Sequence, residues 1–166
     1  MEVSNVVFAV FMCCDSYLPI VNEVFKISAD FGVKYSKIVL SAHRTPHPVI
    51  ELIKQSESNG GKLFIAAAGM AAHLAGAVAA HSLKPVIGIP IESGGLGGLD
   101  SLLSTAQMPP GIPVATVAVG KAGAKNSAIL AIQMLAISDQ ALAEKMRNSR
   151  QNMTNEVLDN NKTLKS

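Results

Sequence analysis

Ile38-Val39-Leu40-Ser41-Ala42-His43-Arg44-Thr45-Pro46 is the stretch whose reading decides the fold. The three apolar residues read as the end of a buried strand. Pro46 opens a helix, because proline fits the first helical turn, where its missing N–H costs nothing. Residues Ser41–Thr45 therefore form a strand-to-helix loop at the carboxyl end of a strand. Open α/β sheets bind their ligands at such ends. The two residues at the middle of the loop suit that use. The imidazole of His43 can move a proton near neutral pH, and the guanidinium of Arg44 can hold an anion by two parallel hydrogen bonds.

The same alternation extends in both directions. Val6–Met12 reads as the first strand. Leu18–Phe31 carries apolar residues at helical spacing and ends at Gly32. Ser36–Leu40 is the second strand, and His47–Gln55 is a helix stopped by Asn59-Gly60-Gly61. Leu63–Ala67 is the third strand, and Ala71–His81 is an alanine-rich helix. Val86–Ile89 and Val114–Val119 are strands four and five. Ala122–Ile137 is a long apolar helix. Asp139–Asn155 is an amphipathic helix with Leu142, Met146 and Met153 on one side, and the polar tail after Val157 is expected to fray. Strands that are apolar throughout, alternating with helices, predict a parallel sheet covered on both faces. Crossovers should be right-handed. With no linker and no fixed-period repeat, the 166 residues are expected to form one domain.

Composition narrows the classes. Hydrophobic residues make up 49% and charged residues only 16%, which suggests surface buried between subunits. Aromatics are 4% and Trp is absent, so small residues must pack the core closely. A net charge of +2, without basic clusters interleaved with aromatics, gives no argument for nucleic acid. No apolar run is long enough to span a membrane, and Val6–Met12 follows Glu2 rather than the basic region of a signal peptide. Cys13 and Cys14 are adjacent, badly placed for an ordinary disulfide, and no zinc-site spacing occurs, so a reducing cytoplasm is the expected compartment.

The unusual residues fall where strands end. Cys13-Cys14-Asp15-Ser16-Tyr17 follows strand one, and Ala68-Gly69-Met70-Ala71-Ala72-His73-Leu74 follows strand three. The Gly- and Ser-rich stretch within Pro90–Asp100 follows strand four and reads as a functional loop. In a parallel sheet these loops share one edge, where helix-start N–H groups can hold a phosphate. Other features have ordinary explanations. His47 and His81 lie outside patterned loops and read as surface residues. No GxGxxG occurs, so there is no dinucleotide fingerprint. Asp100 suits a helix N-cap, and Met108-Pro109-Pro110-Gly111 suits a turn. These readings alone stop at an α/β protein with phosphate-binding and acid–base capacity.

A set of motifs in fixed order goes further. Ser-Ala-His-Arg-Thr-Pro at 41–46, Ala-Ala-His-Leu-Ala-Gly at 71–76 and Pro-Val-Ile-Gly-Ile-Pro at 85–90 come first. Gly-Leu-Asp-Ser-Leu-Leu-Ser at 98–104, Gln-Met-Pro at 107–109, Gly-Ile-Pro-Val-Ala-Thr-Val-Ala-Val-Gly at 111–120 and Lys-Ala-Gly-Ala-Lys-Asn at 121–126 follow. Together they resemble the catalytic subunit of phosphoribosylaminoimidazole carboxylase, the PurE family of purine biosynthesis, over nearly the whole chain. The first two motifs resemble the class that rearranges N5-carboxyaminoimidazole ribonucleotide.

That resemblance implies a flavodoxin-like three-layer sandwich in a cytoplasmic homo-octamer, with active sites at subunit junctions and the helix at about 139–155 packed on neighbours. It implies a mutase that moves a carboxylate from nitrogen to ring carbon through trapped carbon dioxide. No metal or organic cofactor is implied. The family histidine corresponds to His43, acting as acid and then as base. Arg44 corresponds to the arginine that grips the ribotide phosphate, with Ser41 and Ala42 in the same substrate loop. Ala68, Gly69, Ala72, His73 and Leu74 should border the base and the trapped gas.

The first loop departs from the family form Gly-Ser-Xaa-Ser-Asp, where this chain has Cys13-Cys14-Asp15-Ser16-Tyr17. Cys14 stands where a serine hydroxyl meets the phosphate, Asp15 follows it, and Tyr17 replaces the carboxylate that holds the ribose hydroxyls. Gly-Ala-Gly-Gly has become Ala67-Ala68-Gly69-Met70, and Ala75 replaces a proline. Three readings follow: a mutase that tolerates an altered ribotide site, a PurE-like enzyme for another carboxylated substrate, and a non-catalytic scaffold or binding module. His43 and Arg44 favour an enzyme, and the family's prevailing activity places the mutase first.

Overall fold

In the computed structural model, which describes residues 7–163, the opening stretch runs from strand β2 (Tyr35–Val39) through its loop into helix α2 (Pro46–Ser58). Four more strands join β2: β1 (Phe8–Met12), β3 (Leu63–Gly69), β4 (Val86–Ile91) and β5 (Ala115–Thr116). The order across the sheet is β2-β1-β3-β4-β5, and every pairing is parallel. This is the flavodoxin-like order of a doubly wound α/β fold. Chain direction across the sheet reverses between β1 and β3, which opens a crevice at their carboxyl ends.

Five further helices complete the chain: α1 (Leu18–Phe31), α3 (Leu74–Ala80), α4 (Leu99–Ala106), α5 (Gly120–Ala136) and α6 (Gln140–Thr163). Every residue of β1 and β4 is buried, as strands covered on both faces must be. Ala9, Phe11, Phe64 and Ala66 point into one core with Val49 and Ile53 of α2 and Leu74 and Val78 of α3. On the other face Phe25 of α1 stacks on Tyr35, with centroids 4.9 Å apart, and Tyr35 meets Phe8. The chain divides into two compact units, Met1–Ala131, which holds the sheet, and Ile132–Ser166, whose described residues are mostly helical. Among the described residues, no helix is long and apolar enough to cross a membrane.

Several boundaries differ from expectation for local physical reasons. Val6 lies outside the described residues, and Val7 is a bend before the strand, so β1 starts at Phe8. The fifth strand shrinks from Val114–Val119 to two residues: only Ala115 and Thr116 pair in the ladder, with Ile87 and Gly88, and Val117 N–H adds one bond to Gly88 O at 3.1 Å. The alanine-rich helix begins at Leu74 instead of Ala71, since His73 N–H turns back to Ala71 O at 2.7 Å. Gly98, at φ +82°, takes the N-cap of α4, and Asp100 sits in the first turn, accepting from Ser101 N–H at 2.9 Å. The tail is helical to Thr163. Ion pairs Arg147–Glu144 and Lys162–Asp159, three residues apart, support this polar helix, and Met153 is half exposed, away from buried Leu142 and Met146.

Candidate active site

The β2–α2 loop is held by its own polar atoms. Thr45 N–H donates to Ser41 O at 2.9 Å, Thr45 Oγ1 donates to the same carbonyl, and Ser41 N–H donates to Thr45 Oγ1. This closed turn fixes the two residues it carries. Arg44 reaches back across the sheet edge, and its Nη2 donates to Cys13 O at 3.0 Å. A guanidinium has five donors, so this bond does not exhaust it. His43 Nε2 lies 2.8 Å from His73 Nδ1, with the two rings edge to face, 5.0 Å between centroids and 82° between planes.

His73 comes from the β3–α3 loop and occupies the N-cap position of α3. That loop is tied from α4: Ala72 N–H donates to Ser104 Oγ at 2.9 Å, and Ser104 Oγ reaches Met70 O at 3.2 Å. Met70 adopts φ +55°, in the left-handed region, which costs a non-glycine residue about 1–2 kcal/mol. It stands at the position expected to be glycine in the family, and its side chain is exposed.

The loops enclose a cleft of about 80 Å³. Ser41, Ala42, His43, Arg44, Ala68, Gly69, His73 and Leu74 line it, as do Cys13 and Ala71. Ala72 lies beneath, buried, serving through its N–H. Cys14, Asp15 and Tyr17 stand outside this lining. Cys14 Sγ donates to Asp15 Oδ1 at 3.3 Å and accepts from Ser16 Oγ at 3.0 Å, so its thiol is engaged within its own loop. Tyr17 spans to the loop after β4, donating to Ser93 Oγ at 3.4 Å. Burial pushes its phenol above the ordinary value, with the Ser93 hydrogen bond opposing, so the group is a neutral hydroxyl at physiological pH. The contact passes over Gly69, where a Cβ would collide with Ser93 Oγ and lie 2.7 Å from Tyr17 Oη.

Ser93, Ser104 and Thr45 escaped the sequence reading as individual residues. Ser93 falls in the loop expected to be functional and Ser104 in the quoted 98–104 motif, but their partners lie 76 and 32 residues away. A larger hollow of about 670 Å³ lies before the amino ends of β4 and β5, lined by Glu57, Leu83 and Lys84 among others. It is at the wrong end of the strands for a doubly wound sheet, and the paired imidazoles are not there. Among the described residues, no three His, Cys, Asp or Glu side chains gather as a metal site would require.

Comparison with known proteins gives concordant results. The model of the family described as AIR carboxylase matches residues 7–156. A Pyrococcus abyssi protein named N5-carboxyaminoimidazole ribonucleotide mutase is 49% identical over 144 residues, 87% of this chain and 82% of that one. Proteins of the same name from Haemophilus influenzae and Escherichia coli K12 are 47% and 48% identical, covering 92% and 83% of this chain and 93% and 80% of their own. The crystal structure of Treponema denticola PurE superposes with a TM-score of 0.87 at 25% identity, covering 96% of this chain and 98% of that one.

Proposed function

The chain belongs to the AIR carboxylase family, and on that footing we propose that it works as an N5-carboxyaminoimidazole ribonucleotide mutase of purine biosynthesis with His43 as its acid–base group. The single observation that carries the assignment of His43 is its place: an imidazole on a rigid strand-end loop, next to Arg44, at the mouth of the sheet's crevice. His43 first protonates the nitrogen from which carbon dioxide departs. The ring carbon then captures the gas, and the same imidazole removes the ring proton to restore aromaticity. Arg44 binds the ribotide phosphate. Buried Ala68 and Leu74 give the pocket the apolar wall that would keep carbon dioxide from escaping.

The reading also includes a homo-octamer in the cytoplasm that needs neither metal nor organic cofactor. Two observations support the assembly. A cleft of about 80 Å³ is far below the roughly 300–1,000 Å³ of ordinary ligand pockets, so a ribonucleotide needs walls from elsewhere. Large apolar side chains at Met70, Leu96, Leu99 and Leu103 are exposed around the same loops. In this reading the chain is one domain whose C-terminal helix packs on neighbouring subunits. The free thiols of Cys13 and Cys14 suit a reducing compartment.

A test is complementation of a purine auxotroph lacking the mutase. Growth with the wild-type chain, lost on His43→Asn, is expected; absence of growth from well-expressed wild-type protein would overturn the proposal. One observation favours a competing reading, a different carboxylated substrate: Tyr17, at the position the resemblance gives to a ribose-binding carboxylate, turns its phenol to Ser93. Under that reading the ribotide would fail to raise the melting temperature.

A further inference from the structure

The contact between His43 and His73 limits which nitrogen of His43 can do the work. A separation of 2.8 Å is a hydrogen-bond distance, so the pair holds one proton between Nε2 of His43 and Nδ1 of His73. Two arrangements satisfy it. In the first, His73 donates, and Nε2 of His43 must keep its lone pair. His43 could then never carry protons on both nitrogens, since two N–H groups would face each other. In the second, His73 accepts. The Nε2–H of His43 then persists whether that ring is charged or neutral, and the contact survives the whole reaction. An imidazole asked to be first an acid and then a base needs the second arrangement.

We propose that His73 is a positioning residue: its Nδ1 accepts from Nε2–H of His43, which makes Nδ1 of His43 the atom that gives and takes the reaction proton. This inference rests on the reading of His43 as the acid–base group. In the acid stage His43 is the imidazolium. Its Nδ1 proton passes to the substrate nitrogen, which keeps the electrons of the breaking N–C bond as carbon dioxide leaves. The ring carbon's π electrons then form the new C–C bond. In the base stage the Nδ1 lone pair takes the proton from that carbon, the C–H electrons return to the ring, and His43 ends as it began.

The backbone around both rings is built for such a fixed relation. His43 hangs from the Ser41–Thr45 turn, closed by three hydrogen bonds. His73 hangs from the start of α3, where its own carbonyl accepts from Ala77 N–H at 2.9 Å and its neighbour Ala72 is held by Ser104. Both side chains are exposed in the cleft, so no packing around them selects a ring orientation. A histidine ring has a broad, roughly two-fold terminal torsion, and the His43–His73 bond is what chooses between its settings.

The experiment uses the full chain labelled with nitrogen-15 at histidine. At a pH where the rings are neutral, the imidazole signals of His43 should show Nε2 protonated and Nδ1 bare, and His73 should likewise carry its proton on Nε2. A His43 ring protonated at Nδ1 alone would overturn the proposal. Kinetics give a second reading. His73→Ala should lower kcat by on the order of 10- to 100-fold, the usual cost of losing the partner that fixes a histidine tautomer, with KM little changed. His73→Asn, whose amide oxygen can accept near the place of Nδ1, should recover most of that loss. An unchanged kcat in His73→Ala, or an effect confined to KM, would also overturn it. If His43→Asn stays active, the reading of His43 itself has failed; if only that variant is dead and His73→Ala is normal, the fault lies with this inference alone.

Discussion

Tyr17 is the residue at which the proposed site departs most from the form its family resemblance implies. Its hydroxyl donates to Ser93 across the end of β3, in a corner open only because residue 69 is glycine. The phenol is neutral, so it cannot supply the strong acceptor that a carboxylate would offer to a diol. Cys14 is weakened in a similar way, with a thiol already bonded to Asp15 and Ser16. Replacing both, as Cys14→Ser with Tyr17→Asp, is expected to tighten ribotide binding by roughly 10- to 100-fold, the worth of one charge-assisted hydrogen bond. Isothermal titration measures this, and unchanged affinity would mean that the first loop does not meet the ribotide. The site's residue types were legible because they sit in order along strand-end loops. The Tyr17–Ser93 and Ala72–Ser104 contacts were not, because each joins loops set beside one another only by the sheet order.

Among elements, α1 is tied to the start of α5 by an inward acid. Glu23 is only 8% exposed, and it meets Lys121 at 3.4 Å, Lys125 at 3.8 Å and Lys26 of its own helix at 3.4 Å. Burial by itself would raise the Glu23 carboxyl; hydrogen bonds and charge from Lys121 and Lys26 outweigh it and hold the group below its ordinary value of 4.5. A lowered folded-state value contributes stability that is present above the ordinary range and is lost as pH falls through the lowered value. Glu23→Gln should therefore melt below the wild type at neutral pH, and the gap should close as melts are carried into acid beyond pH 4.5. A gap that stays constant with pH would show that the carboxylate charge is not what ties the helices. The Lys121-Ala-Gly-Ala-Lys125 spacing was legible as a motif, but its partner was not, since Glu23 lies about a hundred residues earlier, on another helix. The same limit explains α6. Loss of apolar periodicity reads as a helix end, whereas local ion pairs, with neither Gly nor Pro to interrupt them, carry this helix on to Thr163.

For the molecule as a whole, a parallel sheet covered on both faces was legible from the alternation of strands and helices, its flavodoxin-like form only through the family resemblance, and strand limits were set by pairing partners that no local pattern announces. The proposed assembly can be weighed directly. Light scattering of the purified protein should give eight times 17.3 kDa, and a particle at the mass of one chain would refute the octamer.

The division of labour among the loops has a further consequence. In the proposed mechanism proton handling hangs from the ends of β2 and β3, through His43 and His73, whose rings meet at 2.8 Å. The changed residues Cys13, Cys14 and Tyr17 hang from the end of β1, and Tyr17's partner Ser93 from the end of β4. No sheet hydrogen bond need change for one set to vary while the other stays constant. In the proposed mechanism the scaffold thus lets the first-loop contacts vary apart from the proton shuttle, while Arg44 stays beside His43. A library randomised at positions 14, 17 and 93 would explore new ligands around an unaltered proton shuttle, which is how a lineage could acquire a new substrate without passing through an inert ancestor.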